Sequence, residues 1–449
     1  MAESETDAVQ ASAIRKICWR LVPFVGLMFF INFLDRTAIA FAGPNGLTKD
    51  LGLTAAQFGF ASGIFFIGYI ILEIPSNLAL HRFGARIWLS RIMITWGIVA
   101  AMFTWVSGIN QLYWLRFLLG VAEAGFFPGA ILFLSQWVPG RHRSTILAIF
   151  YLFQPLTIVI GAPAASLLLM AHGAFGLAGW RIMFFGVAVP ALLIGIVGLF
   201  YLVDSPAQAK WLTDAEKKSL IDALAAEHRP DNAHSYAHAG KALVSGRVWM
   251  LCLIYFGFVY GLYALAFFLP TIIAGFQTQF GVKFGLFMNG VFTAVPYLPA
   301  AIFLFLWSRD STKRGVRSWH VSVPAVVGGV SVPLALYMHS PAMAILMVTI
   351  TACAIFGALP SFWAIPSRFL TGAGAAAGIA LINTVGNIAG FSAPYITGMV
   401  KDWTGAFEPA MFIVGALMIL SGVLVTLIAG AIQGSPSEPM SEAAMELSE

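Results

Sequence analysis

Asp35 and Arg36 stand side by side in a stretch of sequence that is otherwise almost entirely apolar. Arg116 and Glu123 form a second charged pair, seven residues apart in another apolar stretch. Seven residues are two turns of an α-helix, so Arg116 and Glu123 would lie on one face. A charged side chain at the centre of a membrane-spanning helix costs about 2.5–3.5 kcal/mol. Four charges that sum to zero are therefore expected to lie inside the protein, close to one another or to water.

The depth of the two carboxylates bears on what this charge cluster does. Asp35 lies about 21 Å along its helix from Leu21, and Glu123 about 16 Å from Leu112, near the middle of a bilayer. The cluster is either a structural ion-pair group that joins two helices or a functional site that takes up protons. The functional interpretation is favoured, because buried ionisable groups are expensive in a membrane and a neutral cluster accepts protons without becoming strongly charged.

The composition identifies the solvent in which the chain folds. Charged residues make up 10% and hydrophobic residues 59% of the 449 residues, so an integral membrane protein is predicted. The long apolar runs indicate helices rather than a barrel. The first ten residues carry three acidic side chains and no basic one, unlike a cleaved signal peptide. The three cysteines are far apart, and neither a metal site nor a cofactor motif is predicted.

The apolar segments form two groups of six, separated by a polar stretch, and predict an all-α membrane protein with twelve transmembrane helices in two pseudo-symmetric six-helix bundles. The predicted spans lie near 19–42, 57–80, 87–107, 112–138, 145–170, 180–203, 248–274, 284–307, 319–338, 342–366, 372–400 and 409–432. The predicted organisation is an N-terminal segment 1–18, a bundle 19–203, a linker 204–247, a bundle 248–432 and a disordered tail 433–449. Thr213 is expected to cap a short amphipathic helix in the linker.

Basic residues are distributed unequally between the two sides of the predicted membrane protein. If the N-terminus is inside, most lysines and arginines fall in cytoplasmic loops and few remain on the other side. Loops rich in lysine and arginine stay in the cytoplasm. Both termini are therefore predicted to be cytoplasmic, in a multi-pass protein of the cell's inner membrane.

The two halves are related by short matches at an offset of 231 residues. The pair Ala162-Pro163 aligns with Ala393-Pro394 at this offset. An excess of basic residues in cytoplasmic loops, together with a turn glycine, could explain a match between the two loops alone. The shared offset of the Ala-Pro pair favours a repeat. In the two loops, the aligned pairs are Arg82 with Lys313, Gly84 with Gly315 and Arg86 with Arg317.

The chain resembles the major facilitator superfamily over essentially its whole length. The Arg/Lys-x-Gly-x-Arg loops match that superfamily's signature, except that His81 stands where an Asp is usual. Three stretches together resemble the anion:cation symporter family within it: Asn32-Phe-Leu-Asp-Arg36, Glu73-Ile-Pro-Ser-Asn77 and Arg116-Phe-Leu-Leu-Gly-Val-Ala-Glu-Ala-Gly-Phe-Phe-Pro-Gly129. The resemblance implies proton-driven, or in some members sodium-linked, uptake of organic anions.

The resemblance also implies roles for individual residues. The carboxylates that match Asp35 and Glu123 are associated with proton coupling, and the arginine that matches Arg36 with the substrate anion. The positions that match substrate-contacting residues are Tyr69, Gln154, Trp363 and Asn383.

Several of these positions also stand out by residue type and depth. Gln154 and Asn383 each lie about eleven residues beyond the start of their helix, near the midplane, and Asn387 follows one turn later. Buried amides can instead join helices together, and that alternative stays open. For Glu73, a gate or a structural pairing with an interface or with the basic loop is preferred to direct coupling. Arg116, Glu73 and Asn387 are thus candidate charge-network or gating residues.

Three classes of function are to be considered for a membrane protein with these charges. A secondary carrier of small organic anions, such as sugar acids, dicarboxylates or aromatic carboxylates, fits the charges best, with either uptake or export. A membrane enzyme is disfavoured because no catalytic motif is present, and a sensor or channel because no sizeable soluble domain is present. Expected partners are the anion, protons and the bilayer, without nucleic acid, and the expected state is a monomer. His234 and His238 lie in a polar stretch that suggests a loop rather than a metal site.

Overall fold

The computed structural model describes residues 2–227, 243–281, 285–366 and 372–428. Twelve segments within these ranges are helical, long and apolar enough to cross a membrane, which confirms the predicted number. We call them spans 1 to 12. Their bounds are Ala8–Asp50, Ala55–Phe83, Ala85–Trp105, Ile109–Trp137, Thr145–Met170, Gly179–Tyr201, Gly246–Gly275, Leu286–Lys313, Trp319–Tyr337, Pro341–Trp363, Ala377–Thr404 and Glu408–Leu427.

Several helices extend beyond the apolar segments that identified them. The helix of span 1 runs without a break from Ala2 to Ala42 and therefore includes most of the predicted N-terminal segment. Helices of spans 5, 7 and 11 likewise cover Gly140–Met170, Gly246–Phe280 and Gly372–Thr404. Hydropathy reports only the part of a helix that needs an apolar surrounding, so the polar ends were not predicted. The predicted tail 433–449 and the two histidines at 234 and 238 lie outside the described residues.

Spans 4 and 8 are interrupted rather than continuous. In span 4, one helix ends at Glu123 and the next begins at Phe126, with Gly125 between them at a φ of 82°. Glycine adopts this left-handed conformation without the steric penalty of a Cβ. In span 8, the helices Leu286–Ala294 and Tyr297–Lys313 meet at Val295 and Pro296. Broken helices at membrane depth are tolerated where they are buried in protein or line a cavity.

The repeat at an offset of 231 residues is visible in the packing of the two halves. Gly59 of span 2 packs on the backbone at Pro394 of span 11, without room for a Cβ. Gly290 of span 8, which is 231 residues after Gly59, packs on Ser166 and on the backbone of Ala162 in span 5, one residue from the position that aligns with Pro394. Each half therefore contributes the same glycine contact to the other. The chain folds as two pseudo-symmetric six-helix bundles.

One set of contacts between the two halves lies at one end of the molecule. We call the end that includes Phe83–Ala85 and the start of the linker the linker face, and the other end the opposite face. At the opposite face, Asp402 accepts hydrogen bonds from the backbone N–H groups of Ala55 at 3.0 Å and Ala56 at 2.8 Å. The carboxylate of span 11 thereby caps the first turn of span 2 in the other half. The two halves are therefore in direct contact at the opposite face.

Removing this cap is expected to favour opening at the opposite face. Loss of an N-cap costs about 1 kcal/mol, which changes the ratio of closed to open molecules about fivefold. We expect Asp402→Ala to increase the long-distance population between spin labels at Lys49 and Trp403, measured by pulsed electron resonance. Asp402→Asn keeps an acceptor oxygen and should have a smaller effect. An unchanged distance distribution in Asp402→Ala would contradict a role of the Asp402 cap in holding the two halves together.

The first part of the linker folds back onto the start of span 1. The linker helix covers Asp214–Glu227, and Thr213 caps it as predicted, because its hydroxyl accepts from the Glu216 N–H at 3.3 Å. Glu216 also accepts hydrogen bonds of 2.8 Å from the Ser12 hydroxyl and the Lys16 ammonium. Burial opposes ionisation of Glu216, but these donors outweigh it and lower its pKa to about 2.

Docking of the linker helix is expected to depend on pH through Glu216. A pKa below the usual 4.5 means that ionised Glu216 stabilises the docked form above about pH 4.5, and that this contribution is lost as the pH falls towards 2. In Glu216→Gln, hydrogen exchange of residues 9–18, corrected for intrinsic rates, should be several-fold faster at pH 7 and lose this pH dependence. Asp222→Gln, on the same helix, is the control. Equal hydrogen exchange in the parent protein, Glu216→Gln and Asp222→Gln would refute a stabilising contact between Glu216 and span 1.

Candidate functional site

Arg36 connects the two halves of the protein near the middle of span 1. Its Nε donates to the Glu123 Oε1 at 2.9 Å, and Nη2 makes a second, shorter bond to the same oxygen. Its Nη1 donates to the hydroxyl of Tyr263 at 2.9 Å. Glu123 belongs to span 4 and Tyr263 to span 7 of the other half. The Arg36 guanidinium is buried, at 8% exposure, and is held by charge-assisted hydrogen bonds.

Aromatic rings of span 2 surround the same guanidinium. The Arg36 Cζ lies 4.9 Å from the ring centroid of Phe65, 5.4 Å from that of Tyr69 and 5.9 Å from that of Phe66. Rings at these distances attract a cation through their electron-rich faces, and the attraction increases when water is excluded. The site therefore holds a desolvated positive charge in a fixed orientation.

Glu123 is fully buried at the point where span 4 is interrupted. One carboxylate oxygen binds Arg36, while Oε2 has no hydrogen-bond partner among the described residues. Two residues later, Gly125 packs against Ser76 of span 2 so closely that a Cβ would lie 2.5 Å from its hydroxyl oxygen. Sequence reasoning placed Glu123 in a continuous helix, although Gly125 and the following Pro128 could have indicated the break.

The four charges predicted to find one another do so only in part. Arg36 pairs with Glu123, but Asp35 is in none of the ion pairs formed by described residues, because neighbouring residues on a helix do not share a face. Arg116 is fully buried and donates instead to the backbone carbonyls of Ala61 and Ser62, both at 3.1 Å. It thereby joins span 4 to span 2, while both carboxylates stay close enough to interact with its charge.

Glu73 forms a second connection between the halves. Its carboxylate accepts a short hydrogen bond from the side-chain amide of Asn383 in span 11. Its backbone carbonyl accepts from the Asn77 amide at 2.9 Å. The sequence left two partners open for Glu73, an interface or the basic loop. In the structure, Glu73 contacts the interface between the halves. Glu73 and Asn383 are far apart in sequence, so their contact depends on how spans 2 and 11 are placed relative to each other.

A central cavity between the two halves brings together the predicted substrate residues. Arg36, the partner of Glu123, and Asn383, the partner of Glu73, both line it. The predicted residues that line the cavity are Arg36, Tyr69, Gln154, Trp363, Asn383 and Asn387. Asp35, Glu123, Glu73 and Arg116 are not among the residues that line it. The cavity is therefore walled by one cation, three amides and several aromatic rings.

Three tyrosines in this cavity were not predicted from the sequence. Tyr151, Tyr255 and Tyr263 all line it. Tyr255 packs edge-on against Trp363, with ring centroids 4.8 Å apart, and Tyr263 binds Arg36. Tyr255 and Tyr263 are eight residues apart on one helix, close to two turns, which is a signal for a shared face. Their hydroxyls add hydrogen-bonding groups to the aromatic part of the wall.

The loop signature lies at the linker face, away from the cavity. Gly84 has a φ of 84°, and the Asp204 carboxylate beside it accepts from the Arg86 N–H at 2.8 Å. In the second half, Gly315 has a φ of 72° and the Arg317 N–H donates to His320 Nδ1 at 2.9 Å. Both loops thus use a left-handed glycine. The side chains of Arg82 and Lys313 are exposed.

The described residues contain no group of three or more His, Cys, Asp and Glu side chains placed to hold a metal ion. The candidate site is instead an ion-paired arginine in an aromatic cavity between two similar bundles, a place where membrane carriers bind solutes.

Comparison with known proteins identifies the family. The sequence profile described as Major Facilitator Superfamily matches residues 25–394. The chain belongs to this superfamily. A protein of Agrobacterium vitis named "Putative tartrate transporter" is 43% identical over 426 residues, which cover 94% of this chain and 93% of that protein. A "Quinolone resistance transporter" of Acinetobacter baumannii is 36% identical over 419 residues, 93% of this chain and 95% of that protein.

A solved structure of the superfamily has the same fold. The crystal structure of a bacterial homologue of the human lysosomal transporter Spinster superposes with a TM-score of 0.70 at 17% identity, covering 93% of this chain and 98% of that one. The protein is therefore a multi-pass Major Facilitator Superfamily transporter. Proteins of this superfamily move solutes across membranes and are not enzymes.

Proposed function

We propose that the protein is a proton-coupled symporter that carries a small organic anion into the cytoplasm across the bacterial inner membrane. The observation that carries this proposal is the buried ion pair between Glu123 and Arg36, the arginine that lines the central cavity. Glu123 occupies the arginine that would bind the anion. Binding of the anion therefore depends on whether Glu123 is protonated.

The linkage follows from the number of donors on Arg36. A substrate carboxylate that enters the cavity competes with Glu123 for the same guanidinium N–H groups. Protonation of Glu123 removes its charge and releases these groups, so an anion and a proton replace the internal ion pair together. The bound site stays neutral overall, which is less costly in the membrane interior than a net charge. Asp35, beside Arg116, is a second carboxylate that can take part in coupling.

The cavity wall favours a carboxylate with hydroxyl groups or an aromatic ring. The amides of Gln154 and Asn383 and the hydroxyl of Tyr263 can bind substrate hydroxyls, while Trp363 and Tyr69 offer flat apolar faces. A hydroxylated dicarboxylate is the first substrate to test, because the Agrobacterium vitis relative is named for tartrate.

The proposed transport cycle moves the bundles 19–203 and 248–432 against each other. The opposite face is closed by Asp402 and the glycine contacts, so the next opening on this side requires their release. The Glu73–Asn383 bond is a candidate for a gate that breaks and forms in the cycle. The distribution of basic residues supports a cytoplasmic linker face with both termini inside. We expect a single copy to be sufficient, since the cavity lies within one chain.

Export of an aromatic acid is a second candidate function. The aromatic cavity wall favours it, and so does the relative named for quinolone resistance. Both functions use the same arginine, so they differ in the direction of coupling and in the size of the substrate.

Purified protein in proteoliposomes can distinguish these functions. We expect labelled tartrate or a similar hydroxy acid to accumulate inside when the outside is acidified, and a saturating substrate at 100 times its Kd to stabilise the protein by about 2.7 kcal/mol. A panel of sugar acids, dicarboxylates and aromatic carboxylates covers the alternatives. Accumulation driven only by an acidic interior would favour export. Failure of every carboxylate to shift the melting temperature would refute anion transport.

A further inference from the structure

A lateral groove of about 470 Å³ lies on the surface of the first half, away from the central cavity. It runs between spans 2, 3 and 4, and several of its wall residues are exposed or half-exposed at membrane depth. In a membrane-spanning protein, such surfaces contact lipid. The apolar wall residues include Leu72, Pro75, Ala79, Val99, Leu118 and Val121.

One cation lies in this groove. Arg91 of span 3 is six residues beyond Ala85, about 9 Å from the linker face. Its Nη1 makes a long hydrogen bond of 3.5 Å to the Thr95 hydroxyl, and its Nε has no partner in the described part of the chain. None of the ion pairs formed by described residues includes Arg91. A positive charge is thus presented to lipid without a protein counter-ion.

The arginine is held in place by an aromatic stack. The Arg91 Cζ lies 4.0 Å from the ring centroid of Trp88. Trp88 stacks on Phe83, with centroids 5.5 Å apart and an interplanar angle of 13°. The indole N–H of Trp88 also donates to the Ser76 hydroxyl at 3.0 Å. This arrangement fixes the guanidinium at the groove instead of leaving it free to extend into water.

We propose that this groove binds an anionic phospholipid of the linker-side leaflet. The lipid phosphate would accept hydrogen bonds from Arg91, and one acyl chain would lie along the apolar walls formed by spans 2 and 4. An unpaired cation at this depth is costly, and a lipid phosphate is the anion that the surrounding membrane supplies. Arg91 attracts an anionic head group, and the apolar walls of the groove fit a hydrocarbon tail. The groove therefore favours a molecule that has both.

The binding test uses full-length, delipidated protein in a neutral detergent. Native mass spectrometry would measure binding of dioleoyl phosphatidylglycerol, dioleoyl phosphatidylcholine, oleate and inorganic phosphate. We expect phosphatidylglycerol to bind at least about tenfold more tightly than phosphatidylcholine, because the choline cation of phosphatidylcholine offsets the phosphate charge that Arg91 attracts. Inorganic phosphate alone should not bind. Equal binding of the two phospholipids, or binding of oleate or phosphate as tight as that of phosphatidylglycerol, would overturn the proposal.

Matched variants test the groove itself. Arg91→Gln should weaken phosphatidylglycerol binding about tenfold, whereas Arg86→Gln, which removes an exposed cation outside the groove, should leave it unchanged. Leu118→Trp should fill the groove and also weaken binding, while Ile98→Trp, on the surface of span 3 outside the groove, should not. A similar loss in Arg86→Gln and Arg91→Gln would indicate general attraction to basic residues and refute the site, as would unchanged binding in Leu118→Trp.

Discussion

Substitution of Arg36 by alanine is expected to abolish binding of the anion. Arg36 is the cation of the central cavity, and hydrogen bonds to charged groups contribute about 1.5–3 kcal/mol each. Loss of even one such bond lowers affinity by more than tenfold. The variant also leaves Glu123 as a buried carboxylate without its partner, which repels a second anion. Direct binding, by calorimetry or by thermal shift with the substrate found in the panel, measures the effect.

Arg36→Lys is the control for charge. Lysine keeps the positive charge but lacks the planar fork that contacts Glu123 and Tyr263 together. We expect it to bind the anion more weakly than the parent protein and more tightly than Arg36→Ala. The purified variants must first show the same helical content as the parent. Affinity of folded Arg36→Ala within about tenfold of the parent would remove Arg36 from the anion site.

Glu123→Gln is expected to separate exchange from accumulation. Glutamine has the shape of a protonated glutamate but cannot release a proton. The variant leaves Arg36 free for the anion, so substrate should still bind and the loaded carrier should still reorient. Labelled substrate should therefore exchange for unlabelled substrate across vesicle membranes at a rate near that of the parent. Accumulation driven by a pH gradient should be lost, because the proton no longer moves with the anion.

Glu73→Gln is a matched control for this experiment. Glu73 is also a buried carboxylate, but its partner is the neutral Asn383 rather than Arg36. If Glu73 serves as a gate, its variant should change the rates of exchange and accumulation together. Normal accumulation in Glu123→Gln would exclude Glu123 from coupling. Loss of both activities in this variant would instead support a structural role for the ion pair.

Local properties of the sequence were sufficient to predict the helices of the fold. The twelve spans follow from apolar runs, because each stretch must satisfy its own backbone in lipid and so depends little on its neighbours. The same holds for Thr213 and Glu216 in the linker, whose capping bonds join residues three positions apart. The repeat was also readable, since Pro163 and Pro394 keep their offset in sequence, and Gly59 and Gly290, at the same offset, pack on spans 11 and 5 in the structure.

The interruption of the helix in span 4 was not predicted from the sequence. Glu123 and Phe126 belong to one apolar segment, and the Gly125 that separates them is also compatible with a continuous helix. The close approach of Ser76 from span 2 accompanies the break. That contact joins residues that are far apart in the chain, so hydropathy does not report it.

By itself, the sequence determined that this protein is a twelve-span membrane carrier with buried charges in its first half. Only the tertiary structure decided that Arg36 binds Glu123 and Tyr263, while the Asp35 Oδ2 has no hydrogen-bond partner among the described residues and Arg116 binds backbone carbonyls. The sequence specifies which residues must avoid lipid, because that cost belongs to each side chain alone. The choice of partner depends on directions and distances between helices, which arise only when both halves pack together.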